Sequence, residues 1–124
     1  MLIVSRPLPR TRSHARRDYT LIGCTLTIRQ GWADCERYAL DEDHATGARG
    51  RVLLLCKESD GEVYEVFLSA DGPAADCCTC QGSRMKAGPS CKHRDSLRDL
   101  LEHGDLPHPW EGAEEGGAEP DYFA

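Results

Sequence analysis

CCTCQGSRMKAGPSCKH, residues 77–93, places four cysteines and one histidine within seventeen residues. A tetrahedral metal site needs only four ligands, so one of these five side chains is left over. In an extended segment, side chains at positions i and i+2 share a face and the side chain between them points the other way. Cys78 and Cys80 are therefore expected to lie together, whereas Cys77 points away.

The second pair of candidate ligands, Cys91 and His93, also lies two residues apart. A regular helix would direct these two side chains to different sides, so they converge only if Cys91 is at the helix entry and His93 in its first turn. The intervening residues 81–90 include two glycines and a proline, which allow the chain to fold back. The predicted metal ligands are Cys78, Cys80, Cys91 and His93.

The segments upstream of the cysteines predict a small antiparallel sheet. CTLTIRQ, residues 24–30, alternates apolar and polar side chains with the period of a half-buried strand. RVLLLCK (51–57) and EVYEVFLS (62–69) are rich in strand formers. The Asp60-Gly61 pair between them is typical of a tight hairpin turn.

Two further elements complete the predicted fold. WADCERYAL, residues 32–40, has mixed propensities and is interpreted as a strand because its neighbours are strands. After Pro89 a helix is expected, with Ser90 as its cap, Gly104 as its stop and an apolar stripe of Leu97, Leu100 and Leu101. The predicted fold class is α+β: a small antiparallel β-sheet of hairpins, followed by a zinc-bound loop and one α-helix.

Charge is distributed unevenly along the chain, which carries a net charge of −6. Residues 1–17 contain five arginines and no acid, and we expect a disordered basic arm there. Residues 107–124 are rich in glutamate, glycine and proline, and we expect a disordered acidic tail. Residues 18–106 then form a single small domain, with the metal-binding finger at about residues 76–103.

Four of the seven cysteines crowd into one segment beside a histidine, and this cluster is better explained by metal binding than by disulfides. The apolar start, MLIV, is too short for a signal peptide, and the number of cysteines is odd. We therefore expect an intracellular, soluble protein, with the cytoplasm as its location, and no membrane association. Three cysteines lie within apolar segments, where we expect buried small hydrophobic residues: Cys24, Cys35 and Cys56.

Three thiolates and one imidazole form a soft, closed ligand set that suits one structural Zn²⁺. CTCQGSRMKAGPSCKH resembles the SWIM zinc finger, whose signature is C-x-C, a variable gap and C-x-H; here it reads C-x-C-x10-C-x-H. The resemblance covers about residues 50–103, since such fingers typically follow a β-hairpin. The sequence departs from the family in the extra Cys77 and in having fewer apolar residues just after His93. The resemblance implies zinc binding and contacts to DNA or protein as one part of a larger assembly.

The ligand count predicts that the protein is not an enzyme, because four protein ligands leave no open position for water or substrate. Two partner classes are weighed. The net acidity and the acidic tail favour a protein-interaction adaptor. The alternative is a weak or accessory nucleic-acid-binding protein, contacting phosphates through the N-terminal arginines and through Arg84, Lys86, Lys92, Arg94 and Arg98. A redox or metal-relay role ranks third, with Cys77 beside Cys78 as its only indication.

Overall fold

A seven-stranded antiparallel sheet and one α-helix form the part of the chain that the structure describes. This computed structural model describes residues 3–8, 16–31, 34–43, 49–80 and 91–107. The strands are β1 Ile3–Leu8, β2 Arg17–Ile22, β3 Thr25–Gln30, β4 Asp34–Asp43, β5 Gly50–Lys57, β6 Val63–Ser69 and β7 Cys77–Cys78; the helix is α1, Lys92–Glu102. Each strand pairs with the next one in sequence, so the sheet is a meander, β1-β2-β3-β4-β5-β6-β7. The predicted α+β class is confirmed.

One face of the sheet packs against α1, and the strand alternation decides which side chains lie there. In β3, Leu26 and Ile28 are fully buried, while Arg29 between Ile28 and Gln30 is exposed. The strands predicted at residues 24–30, 32–40, 51–57 and 62–69 are all present. The core that they share with α1 consists mainly of aliphatic side chains and two tyrosines, including Tyr19, Leu21, Leu26, Ile28, Tyr38, Leu53, Leu55, Val66, Leu68, Leu97 and Leu100.

The β5–β6 hairpin has the predicted turn. Gly61 adopts φ 76°, a left-handed conformation that suits glycine, and its amide donates to the Lys57 carbonyl over 2.8 Å. The register then pairs Cys56 with Val63. This register places Leu55 and Tyr64 opposite each other on the face that α1 covers.

The burial predicted for the three cysteines outside the cluster is wrong. Cys24 and Cys35 are exposed, and Cys56 is only partly buried. Cys35 pairs with the exposed Arg29, and Cys56 pairs with Val63, which is 53% exposed. Both thiols therefore lie on the sheet face that α1 does not cover, and Cys24 lies in the turn before β3.

The predicted basic arm is also wrong over residues 3–8 and at residue 17. Residues 3–8 form β1, which pairs along its whole length with β2, and Arg17 is the first residue of β2. Alternate residues of β1 face the core, so Val4 and Leu8 are buried. The Arg6 guanidinium pairs with Asp105, just beyond the end of α1. Arg6, together with Arg17, which pairs with Asp95, therefore connects the N-terminal strands to α1 and to the residues just after it.

Helix α1 buries Leu97 and Leu100 completely and Leu101 partly, as the apolar stripe predicts. Its N-cap is Cys91 rather than Ser90, which lies outside the described residues. At the other end Gly104 has φ 75°. The Asp105 amide donates to the Leu100 carbonyl (2.8 Å) and the Gly104 amide to that of Leu101 (3.0 Å), a Schellman motif. The predicted stop at Gly104 is confirmed.

The predicted acidic tail lies outside the described residues, apart from Pro107. No helix in the described part of the chain has the length and apolar character that crossing a bilayer requires.

The stability of variants in residues 3–8 distinguishes a packed strand β1 from a disordered arm. Leu8→Ala should lower the free energy of unfolding by about 2 kcal/mol or more, because the side chain is buried against the core. Ile3→Ala on the same strand removes a side chain that is 66% exposed and should change stability by less than about 0.5 kcal/mol. Urea denaturation of both variants measures the difference. Equal stability of both variants and the unmodified protein would contradict the packed position of β1.

Candidate metal centre

The first two candidate ligands are placed by the pairing of β7 with β6. Val66 pairs with Cys78 and Phe67 with Cys77, so Cys78 lies on the helix-facing side of the sheet and Cys77 on the opposite side. The extended backbone continues through Thr79, whose amide donates to the Glu65 carbonyl over 3.0 Å. Cys80 is therefore on the same side as Cys78. Both thiols are buried, whereas Cys77 is exposed, as the alternation predicts.

The second pair is placed by the beginning of α1. Cys91 has an extended backbone (φ −128°, ψ 130°) and serves as the N-cap, and His93 is in the first helical turn. The helix entry thus turns Cys91 and His93 towards the same point, as the two-residue spacing requires. Cys91 is 6% exposed and His93 is 5% exposed.

The four side chains form one cluster of possible ligand atoms. The Sγ atoms of Cys78, Cys80 and Cys91 and a ring nitrogen of His93 lie within 4.8 Å of one another. The Sγ atoms of Cys80 and Cys91 are 3.3 Å apart, too far for a disulfide bond of about 2.05 Å. His93 Nδ1 lies 3.5 Å from the Cys91 Sγ and 3.8 Å from the Cys78 Sγ.

These separations can be compared with those of a tetrahedral metal site. With Zn–S bonds of about 2.3 Å and Zn–N bonds of about 2.0–2.1 Å, two sulfurs lie about 3.8 Å apart and a sulfur and a nitrogen about 3.5 Å apart. The two sulfur–nitrogen distances agree with this geometry, and the Cys80–Cys91 pair is slightly closer. The residues therefore fit a tetrahedral ion that takes one nitrogen and three sulfur ligands, and the cluster could hold a metal ion.

The hydrogen bond between Cys78 and Cys91 favours negative charge on the Cys91 sulfur rather than on the Cys78 sulfur. The hydrogen bond with Cys78 lowers the pKa of Cys91, and His93 and the Arg94 amide act in the same direction against the effect of burial. The same hydrogen bond, together with burial, raises the pKa of Cys78. The Cys80 amide also approaches the Cys78 Sγ, at 3.5 Å. A bound cation would neutralise the charge that such a buried set carries when its thiols ionise.

Two tyrosines enclose the His93 ring. The Tyr64 ring stacks on it, with centroids 4.6 Å apart and planes inclined by 26°. The Tyr38 ring meets it edge-on, at 5.2 Å and 87°, and the Tyr38 hydroxyl lies 3.0 Å from His93 Nε2. Burial raises the pKa of Tyr38, so its hydroxyl remains protonated at neutral pH. The ring is therefore held from β4 and β6 with Nδ1 towards the thiols.

An ion pair joins the segment before the cluster to the helix after it. The Asp76 side chain is 3% exposed and accepts two hydrogen bonds from the Arg98 guanidinium, one of them 2.8 Å long. Arg98 also donates to the Ser69 carbonyl (2.9 Å), and the Ser69 amide donates to Asp76 (2.8 Å). Because Asp76 immediately precedes β7, this pair fixes the position of the first two cysteines relative to α1.

The basic residues predicted to contact nucleic acid have different surroundings. Arg98 pairs with Asp76, the Arg94 guanidinium donates to the Asp76 carbonyl over 3.2 Å, and Lys92 pairs with Asp34 at 3.0 Å. Arg84 and Lys86 lie outside the described residues. All three described bases of this group are thus bound to acceptors within the chain.

The sequence indicated the four clustered side chains but missed the residues that support them. Tyr38 and Tyr64 lie more than twenty-five residues before His93 in the sequence, and only the strand register brings them to it. A weak signal for Tyr64 exists, since it lies two residues from the buried Val66 and therefore on the same face. Nothing in the sequence predicted the role of Asp76, because a single acidic residue before a run of cysteines is common and indicates no particular partner.

Comparison with known proteins identified no similar protein. No family model, no curated protein and no solved structure matches the chain. The interpretation of the cluster therefore depends on its geometry and on the spacing of its residues.

The opposite orientations of two adjacent cysteines predict different outcomes for the same substitution. Cys77→Ser should bind as much metal as the unmodified protein, because this thiol is exposed on the far side of the sheet from the cluster. Cys78→Ser should lose the metal or bind it much more weakly, because it removes one of four converging donors. Metal content measured after gel filtration distinguishes the two variants. Loss of metal from Cys77→Ser together with its retention by Cys78→Ser would show that the register of β7 is shifted by one residue.

Proposed function

We propose that the chain is a zinc-binding module of the SWIM type, in which one structural Zn²⁺ stabilises the fold and the folded module acts as a protein-interaction adaptor. The observation that carries the proposal is the convergence of Cys78, Cys80, Cys91 and His93 into one buried cluster. The donor set, three sulfurs and one nitrogen, is the kind that structural zinc prefers. The C-x-C and C-x-H spacing, with a hairpin before it and a helix at its end, supports the SWIM assignment.

The proposed role of the metal is structural rather than catalytic. Catalytic zinc sites keep one position for water or substrate, whereas four protein donors complete a tetrahedron. Each of the four residues is at most 8% exposed, which limits access of a substrate to the ion. The module is accordingly proposed to have no enzymatic activity of its own.

The position of the cluster explains what such an ion would stabilise. Cys78 and Cys80 would hold it from the edge of the sheet, and Cys91 and His93 from the start of α1. This helix has eleven residues, a length at which an isolated helix is marginal in water. Cross-linking its first turn to the sheet edge would keep Leu97 and Leu100 against the core.

The charges around the helix support a protein partner over nucleic acid. Binding to DNA or RNA draws its affinity mainly from cations that contact phosphates. Here Arg98 and Asp76 form a largely buried pair, and Lys92 is paired with Asp34. Arg6 and Arg17 are likewise paired, with Asp105 and Asp95. These four described cations are therefore engaged within the chain, and the net charge of −6 opposes binding to a phosphate backbone.

Removal of the metal tests the structural role. Structural zinc supplies about 10–16 kcal/mol of apparent binding free energy in small finger peptides. A strong chelator should therefore unfold at least α1 and the β7 region, and stoichiometric zinc should restore them where magnesium does not. Amide exchange of residues 91–107 and circular dichroism provide the measurements. Unchanged protection of these amides in metal-free protein would exclude a structural zinc.

Binding to duplex DNA at several salt concentrations tests the partner class. We expect weak, non-specific binding at low salt that is lost at physiological salt, because log affinity falls with log salt by about 0.9 per phosphate contacted. Fluorescence anisotropy with labelled duplexes of different sequence measures this, and Arg84→Ala with Lys86→Ala shows whether those two bases contribute. Sequence-selective, submicromolar binding at physiological salt would favour the nucleic-acid alternative over the adaptor.

A further inference from the structure

The two nitrogens of the His93 ring have different neighbours. Nδ1 faces the thiols, at 3.5 Å from the Cys91 Sγ and 3.8 Å from the Cys78 Sγ. Nε2 lies on the other side of the ring, 3.0 Å from the Tyr38 hydroxyl. Tyr38 comes from the middle of β4 and is 1% exposed. Water therefore does not readily replace His93 as the hydrogen-bond partner of its hydroxyl.

The position of the ring proton follows from this arrangement. A neutral imidazole carries one N–H donor and one free lone pair, and only the nitrogen with the lone pair can bind a metal. If Nδ1 provides the lone pair to an ion among the thiols, the proton must be on Nε2. There it meets the oxygen of Tyr38, which accepts the hydrogen bond.

We propose that Tyr38 is a positioning residue for the metal centre: its hydroxyl accepts a hydrogen bond from His93 Nε2–H and thereby holds the ring in the tautomer and orientation that present Nδ1 to the metal. This inference depends on the proposed zinc binding. It identifies a residue that is not one of the four donors but that affects the affinity of the site for zinc. Partners of metal-bound histidines commonly have this effect, and their loss weakens metal binding about 10–100-fold.

Tyr64 has a different role and provides a matched control. Its ring stacks on His93 at 4.6 Å, but its hydroxyl points away and lies 3.4 Å from the Glu62 carboxylate in an exposed position. Tyr64→Phe therefore removes a hydroxyl while leaving the stacked ring in place. Tyr38→Phe keeps the edge-on ring and removes only the group that contacts Nε2.

A second control accounts for general loss of stability. Zinc affinity is coupled to folding, so any destabilising substitution lowers the apparent affinity to some extent. Tyr19 is also fully buried, and its hydroxyl donates to Asp99 over 2.6 Å, near the other end of α1. Tyr19→Phe thus removes a buried, hydrogen-bonded hydroxyl that does not contact the metal centre.

The experiment measures zinc affinity of the full chain by competition with a chromophoric chelator for the unmodified protein and for the three variants. Tyr38→Phe should weaken binding by about 10–100-fold, clearly more than Tyr19→Phe, and Tyr64→Phe should bind as the unmodified protein does. Long-range ¹H–¹⁵N spectra of the zinc-loaded protein should show the His93 proton on Nε2. In Tyr38→Phe that proton should exchange faster with solvent, an effect that loss of stability near Tyr19 would not produce.

The outcomes separate this inference from the proposed function. If the unmodified protein binds zinc but Tyr38→Phe weakens binding no more than Tyr19→Phe, or if the His93 proton is on Nδ1, the positioning role is wrong and zinc binding stands. If the unmodified protein takes up no zinc, both are wrong. Weakened binding in Tyr38→Phe alone, with an Nε2 proton, supports the role of Tyr38.

Discussion

The contact between one short helix and one face of a broad sheet determines the rest of this structure. Helix α1 has eleven residues, yet Leu97 and Leu100 pack on a face to which β1 to β6 all contribute. A helix of this length does not hold its place by propensity alone. The chain compensates by attaching it at its start, through the cysteine and histidine cluster, and along its length, through the Arg98–Asp76 and Arg17–Asp95 pairs. Its end is attached through the hydrogen bond from Tyr19 to Asp99. The cysteine and histidine cluster is therefore the first of several attachments between helix and sheet.

These attachments also explain how the charged residues are distributed. Among the described arginines that the sequence suggested as phosphate contacts, Arg6, Arg17 and Arg98 are paired in the fold with Asp105, Asp95 and Asp76. Arg98 and Asp76 are so little exposed that removing either partner alone would leave a charge in the interior without its counterpart, a change that typically costs about 3–5 kcal/mol. The internal use of these cations is the reason for preferring a protein partner in the proposed function.

Local patterns in the sequence predicted much of the fold and the four clustered side chains. The period of two identified β3, and the content of strand formers identified β5 and β6. The spacing of Cys78, Cys80, Cys91 and His93 constrained them to one site. The patterns failed where the answer depended on distant partners. The Pro- and Arg-containing start of the chain becomes β1 because β2 offers an edge and Asp105 a counter-charge, neither of which is visible locally. Alternation also does not tell which face of a strand will be covered, so Cys35 and Cys56 were expected to be buried and are not. Tyr38 was missed because only the register of β4 brings its hydroxyl to His93.

The central claim, a closed site of three sulfurs and one nitrogen that holds structural zinc, can be tested most directly by X-ray absorption at the zinc edge on the purified full chain. The account predicts one zinc per chain with three sulfur neighbours at about 2.3 Å, one nitrogen neighbour at about 2.0–2.1 Å and no additional oxygen ligand. A shell that contains water oxygen, a set of four sulfurs, or the absence of stoichiometric zinc would contradict it.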